Sequence, residues 1–457
     1  MAASLRAPRA PTLETLFVAA VALLGLRLGL RPIGDNSTFV HLRTGLGIAA
    51  GHGIPRSDPY SFTAFGEPWV VQSWLASAAY GVLHRMAGYE AVVVLHGVLY
   101  AGLAWGIATL ARAGGQAWRT CLAASLAVGV GVTQWSPRPL AIGLACFALL
   151  VLAVERRWPV WVLLPIVWVW VNSHGSFVLG GAWLVLVAVC GRRDARRYVP
   201  WWAFGLAVAV ANPLGIRLLT FPVTLFQRRG NLERVVEWGP PTFDGPLGVV
   251  TFVAIVGVAA VLVWRRPPLH DLAPAVVFLG MGVVAQRNLA PAAVVLAPVL
   301  GRALRPRGRV EERAPAREAA VNGAFASVIA LAAAVFLFAA ATSAPFDLDG
   351  YPVAAARRLP DSGRVVSTDV GGGYLVLAEG APRRVFVDDR YDMYPRQVIR
   401  DYLALFDGRP GAAEILDRYR ADAVLWPRER ELAATLADDE AWRRVFADDE
   451  WVVYVRS

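Results

Sequence analysis

The chain of 457 residues contains no lysine; all 45 of its basic side chains are arginine. Charge of any kind is scarce, with Asp, Glu and Arg at 18% of residues, whereas soluble domains carry nearer a quarter. Only three cysteines occur, Cys121, Cys146 and Cys190, each in or at the end of an apolar run. That number and spacing exclude a disulfide framework and offer no metal-ligand pattern. No small-residue cleavage site follows the first apolar run, so this run reads as a retained helix and not as a signal peptide. No clear internal repeat relates the two halves, although inverted repeats are a common mark of transporters.

What the chain has in excess is apolar sequence, 56% of residues. Long apolar runs recur from Pro11 to about Ala341, and a membrane span needs about 20 such residues. The chain therefore reads as a polytopic α-helical membrane protein, residues 1–343, followed by one soluble domain, residues 344–457. The net charge of +10 raises the question of nucleic acid. Much of the arginine excess sits in short loops between apolar segments, which is the pattern of cytoplasmic loops, and no nucleic-acid partner is expected. Usage rich in Arg, Ala, Gly and Pro suggests a GC-rich bacterial genome, and so a bacterial plasma membrane.

The arginines set the expected topology. We place the N-terminus inside and treat Val70 to Gly88 as a helix lying on, or dipping into, the outer face. The tail with Arg6 and Arg9, Arg112 to Arg119, Glu155-Arg156-Arg157, Arg192 to Arg197, Arg265-Arg266 and Arg302 to Arg317 then all fall inside. The loop with Arg228, Arg229 and Arg234 is the exception. About eleven spans result, with the C-terminal domain outside. The polar motifs that are not arginine clusters then gather outside: Gly34 to Leu75, Trp135-Ser136-Pro137-Arg138-Pro139, Asn172-Ser173-His174-Gly175, Ala211-Asn212-Pro213, Glu237-Trp238 through Asp244, and Gln286-Arg287-Asn288.

The C-terminal part reads as a small α/β domain. RVVST, RRVFVDD, ADAVLW and WVVYVRS have strand character, and VIRDYLALFDG and AAEILDRYR helical character. Gly371-Gly372-Gly373 lacks the dinucleotide-binding spacing and reads as a tight turn.

Residues 34–88, the first outer loop, form the longest polar passage of the N-terminal part, and loops held by a rigid scaffold carry function. Transfer of a sugar from a lipid phosphate needs a carboxylate for the acceptor proton, and cationic or amide groups for the departing phosphate. Asp35 follows the first span directly and has two open readings, catalytic base or helix cap. Asp58, in SDPYS, is a turn signature or a second acid. Glu67 reads as solvated. Glu237 is a further acid. Candidate phosphate ligands are Arg138, held between two prolines, His174, Arg287, Asn172 and His41; snorkelling and internal pairing are the alternatives. Trp69, Trp74 and Trp238 read as interface anchors or sugar-stacking surfaces. Asp389 and Arg390, in the cluster Asp388 to Asp392 behind a strand, either meet the acceptor or form a salt-bridged turn.

The order D-x-x-x-x-x-H-L-x-x-G, G-x-G-I-P-x-x-D-P-Y-S-F-T and P-W-V-x-x-x-W-L, followed by W-V-N-S-H-G, E-W and V-F-V-D-D-R-Y-D-M-Y-P, resembles bacterial members of the GT-C superfamily of multispanning glycosyltransferases. The superfamily includes protein mannosyltransferases and the aminoarabinose transferase of lipid A. The resemblance covers nearly the whole chain. It implies a GT-C-like fold, a polyprenyl-phosphate sugar donor, an extracytoplasmic acceptor (glycan, lipid or protein) and a catalytic acid in the first outer loop, by position Asp35. Many members carry a second acid beside the first; here the neighbour is Asn36, so no metal site is assigned, and a divalent cation is compatible but not indicated. Two other classes stay open: a transporter or lipid flippase, and a non-catalytic envelope assembly protein. The transferase reading predicts that Asp35, Arg138, His174, Glu237 and Arg287 converge.

Overall fold

The computed structural model describes residues 11–113, 116–231, 235–306, 316–380 and 383–457. The tail arginines Arg6 and Arg9, and Arg234, Arg307, Arg309 and Arg313 of the basic loops, lie outside the described residues. The helices run, in order, α1 (Leu13–Gly29), α2 (Asn36–Ala49), α3 (Trp74–Leu110), α4 (Ala117–Gly131), α5 (Leu140–Glu155), α6 (Leu163–Ser173), α7 (Phe177–Val189), α8 (Arg193–Arg196), α9 (Val199–Ala209), α10 (Arg217–Gln227), α11 (Gly245–Arg265), α12 (Leu269–Val284), α13 (Leu289–Ala303) and α14 (Ala316–Thr342). After them come α15 (Val353–Ala356), β1 (Val365–Ser367), α16 (Asp369–Ala378), α17 (Arg396–Phe406), α18 (Ala412–Arg418), β2 (Ala423–Pro427), α19 (Glu431–Ala437), β3 (Trp442–Ala447) and β4 (Trp451–Arg456).

Contacts divide the chain into two units. The first holds Met1–Arg31, Glu90–Ala209 and Val235–Ser343. The second holds Pro32–Tyr89, Val210–Arg234 and Ala344–Ser457. The sequence places one boundary near residue 343 and leaves the first outer loop with the membrane part. In the structure that loop belongs with the C-terminal segment, because its apolar residues Val40, Tyr60, Trp69 and Val71 share a core with Val365, Val387, Val424 and Trp426. The passage from one unit to the other falls in α3, which is broken at Ala87 and Gly88; Gly88 takes a φ of +76°, a conformation that favours glycine.

The first unit is a helical membrane body. Among the described residues, Trp74–Leu110, Gly245–Arg265 and Glu318–Thr342 are long and apolar enough to cross a bilayer, and α5, α7 and α12 are shorter apolar helices. Phe325, Leu331 and Phe338 of α14 are exposed, an apolar face suited to lipid and not to water. At the centre, every residue of α13 from Leu289 to Gly301 is buried. Helices approach it closely through small residues: a Cβ on Gly131 would lie 2.8 Å from that of Ala293, the close packing that small residues give membrane helices. α5 and α13 pack directly and are each about 23 Å long.

The second unit is built on a four-stranded sheet in the order β1-β2-β4-β3. β1 and β2 are parallel, and β4 runs antiparallel to both β2 and β3. Two expectations change here. RRVFVDD is not a strand; Val385 makes only single bridges to Ser61 and Val365. Gly371 to Gly373 is not a turn but the first part of α16, capped by Thr368 Oγ1, which accepts from the Gly371 amide at 3.2 Å. The glycines serve close packing: a Cβ on Gly372 would fall 1.9 Å from the Val387 carbonyl oxygen, and one on Gly373 would fall 3.0 Å from Asn36 Cβ. They let α16 lie against α2.

Candidate active site

In the first unit, three short turns meet: Val132–Gln134, Val236–Trp238 and Gln286–Asn288. Gln286 ties them, donating to the Val236 carbonyl at 2.9 Å and accepting from Gln134 Nε2 at 3.3 Å. On this frame Arg138 pairs with Glu237, and the Arg287 guanidinium sits 4.3 Å from the centre of the Trp238 ring. Burial lowers the pKa of Arg287; Glu237 opposes that shift and Arg138 reinforces it. The structure thus brings Arg138, Glu237, Trp238 and Arg287 together. Among the described residues of this cluster, two guanidinium groups face one carboxylate. A partly buried cation of this kind is suited to an anion that it can bind through charge-assisted hydrogen bonds.

Asn172 and His174 stand at the turn from α6 to α7. Asn172 Nδ2 donates to the Trp168 carbonyl at 2.7 Å, and His174 Nδ1 accepts from the Ser176 amide at 3.1 Å. Gly143 of α5 packs on this turn, where a Cβ would lie 3.3 Å from His174 Cβ.

The second unit holds Asp35. Its Oδ1 caps α2, accepting from the Ser37 amide at 3.0 Å and the Ser37 hydroxyl at 2.7 Å. Capping through one oxygen fixes the direction of the other. The C-terminal segment braces this point: Ile33 donates to the Pro345 carbonyl, Asp347 donates back to Ile33, and the Tyr351 hydroxyl donates to the Gly34 carbonyl at 3.0 Å. Burial raises the Tyr351 pKa, and Asp35, Asp369, Asp389 and Asp347 raise it further. Burial and these four carboxylates keep the phenol a proton donor. Asp369 Oδ1 accepts from the Tyr402 hydroxyl at 2.8 Å, and its Oδ2 lies 3.4 Å from Asn36 Nδ2. Burial also raises the pKa of Tyr391 and of Tyr402.

His41 lies about a turn and a half after Asp35, with Nδ1 3.0 Å from Ser77 Oγ. Burial lowers its pKa to about 4, against the pull of Asp35 and with the push of Arg390. At neutral pH it is an uncharged hydrogen-bonding group.

Asp58 and Arg390 form a different kind of structure. Asp58 accepts from the Tyr60 and Ser61 amides at 3.1 and 3.0 Å and from the Ser61 hydroxyl at 2.5 Å. Arg390 reaches it at 2.7 Å and grips Asp388 at 2.8 and 2.6 Å. The Arg390 guanidinium lies 4.4 Å from the Trp69 ring centre. Asp58, Trp69, Asp388 and Arg390 together form a clasp between the first loop and the C-terminal segment. Trp74, at the start of α3, packs on the same core, and Glu67 is exposed. Asp389 acts electrostatically on Tyr351 and Tyr391, raising the pKa of each. Among the described residues no three His, Cys, Asp or Glu side chains gather as a metal-ligand set.

Tyr351, Asp369, Tyr391 and Tyr402 did not stand out in the sequence. The one local signal was the position of Asp369 at the end of the strand-like VVST, where sites collect in α/β sheets.

No family model matches the chain, and no curated protein matches it by sequence. Among solved structures it is similar to the apo oligosaccharyltransferase of Archaeoglobus fulgidus, with 12% identity and a TM-score of 0.52 over 92% of this chain and 70% of that one. It is also similar to ArnT from Cupriavidus metallidurans, solved bound to undecaprenyl phosphate, with 13% identity and a TM-score of 0.51 over 96% of this chain and 97% of that one. The fold is GT-C-like, that of a multi-pass membrane protein with a small C-terminal sheet domain.

Proposed function

We propose that this protein is a membrane glycosyltransferase that moves a sugar from a polyprenyl-phosphate donor to an extracytoplasmic acceptor. The observation that carries this reading is the Arg138, Glu237 and Arg287 cluster. On a GT-C-like fold it supplies two guanidinium groups, held on a hydrogen-bonded frame, for a leaving phosphate. ArnT, solved with undecaprenyl phosphate, supports a lipid phosphate as the group it meets.

In the reaction the acceptor oxygen bonds to the anomeric carbon as the bond from that carbon to the phosphate oxygen breaks. Asp35 takes the acceptor proton. The electron pair leaves with the polyprenyl phosphate, whose charge Arg138 and Arg287 meet. His174 and Asn172 are further phosphate ligands in this proposal. We further propose about eleven spans, an N-terminus in the bacterial cytoplasm and a C-terminal domain outside.

Asp35→Asn keeps the α2 cap, because Asn also caps helices, but it removes the base. Sugar transfer from a polyprenyl-phosphate donor should fall by about 10²–10⁴-fold with little change in thermal stability. Undiminished turnover would remove Asp35 from the mechanism.

A further inference from the structure

The carboxyl ends of β1 and β2 open on a pocket of 410 Å³ in the second unit, within the range of small-molecule sites. Asp369 enters it from the end of β1, Glu429 and Arg430 from the end of β2, and Asp449 and Glu450 from the turn between β3 and β4. Phe406 and Trp451 form apolar walls. The turn is rigid: Asp448 Oδ1 accepts from the Glu450 and Trp451 amides at 2.9 and 2.7 Å, and Arg428 donates to the Asp448 carbonyl at 2.8 Å. Trp451 is fixed by its indole N–H, which donates to the Gly350 carbonyl at 3.1 Å.

We propose that this pocket is a subsite for a neutral, hydroxyl-rich glycan, the distal part of the acceptor. Four carboxylates against one guanidinium repel phosphates and other anions. Carboxylates only accept hydrogen bonds and Arg430 only donates them, so the matching ligand both donates and accepts, as sugar hydroxyls do. The Arg430 guanidinium, 4.0 Å from the Phe406 ring centre, is a fixed donor that needs an acceptor on the ligand, which a purely donating cation lacks. Asp369 joins this pocket to the region of Asp35, since its second oxygen faces Asn36. A chain seated in the pocket would extend past Asp369 toward the base. The assignment rests on the transferase reading for its role, but not for its binding.

The test uses the full chain purified in detergent, without donor. Chitotetraose, mannotetraose, tetralysine and inorganic pyrophosphate are titrated, with affinity read by ligand-observed NMR. At least one tetrasaccharide should bind, and Glu429→Gln combined with Glu450→Gln, both exposed positions, should weaken it about tenfold. No tetrasaccharide binding, equal binding by the double variant, or tighter binding of tetralysine or pyrophosphate would each overturn the subsite. The same titrations on Asp35→Asn, set beside its transfer assay, separate the two proposals. Saccharide binding that fails while Asp35→Asn loses transfer sinks only the pocket; Asp35→Asn that still transfers while the saccharide binds sinks only the catalytic reading.

Discussion

The two ends of α5 and α13 carry two ionic clusters that differ in one respect. At the starts of these helices stand Arg138, Glu237 and Arg287. At their ends stand Glu155, Arg192, Arg302 and Asp271. There Arg192 grips Glu155 at 2.5 and 2.7 Å, and Arg302 grips Asp271 at 2.9 and 2.6 Å while also reaching Glu155 at 2.8 Å. Two carboxylates meet two guanidinium groups, and the charges cancel. Buried charges are tolerated when they are paired and hydrogen-bonded, so the balanced end fastens helices. The end with Arg138 and Arg287 is the proposed phosphate site. The same residue type thus serves structure at one end and, in the proposed reaction, chemistry at the other.

The largest effect should come from breaking the balanced end. Arg302→Ala leaves Asp271 and Glu155 buried with half their partners gone. Removing one member of a buried pair costs about 3–5 kcal/mol, read as a large fall in thermal unfolding temperature and in the yield of folded protein. Donor binding per folded molecule should stay near wild type. A stable Arg302→Ala protein would show that the balanced network is not a fastening.

A smaller effect sharpens the comparison from the other unit. His41 meets burial by staying neutral, not by pairing. Its folded pKa of about 4 lies below the ordinary 6.5, so as pH falls through that window the unfolded chain takes up a proton that the native chain refuses. Stability should drop between pH 6.5 and 4 and then level off. His41→Gln should flatten that part of the unfolding-temperature profile in detergent; an unchanged slope would mean that His41 does not titrate as described.

The limits of sequence reasoning follow the same physics. Apolar runs and arginine loops disclose a helical membrane body because they are local and dense. The pairing of Arg138 with Glu237, a hundred residues away in the chain, is not local, and only the side-of-membrane argument grouped the two. The Asp58 turn was legible as a turn in SDPYS, but its link to Arg390 was not. β3 escaped notice because Arg443 and Arg444 are exposed and interrupt the alternation of an edge strand. The Gly371 to Gly373 run misled because glycine usually marks turns, whereas here it admits α2 and Val387 at close range. The grouping of the first loop with the C-terminal segment depends on a shared core, which no local pattern announces.

Binding of a lipid phosphate by the Arg138, Glu237 and Arg287 cluster is the proposal on which the rest depends. Its most direct test is the affinity of the purified full chain for undecaprenyl phosphate, compared between wild type, Arg287→Ala and folded Arg302→Ala. Hydrogen bonds to charged groups contribute about 1.5–3 kcal/mol, so Arg287→Ala should weaken binding at least tenfold while Arg302→Ala leaves it unchanged. Equal affinity in wild type and Arg287→Ala would contradict the account.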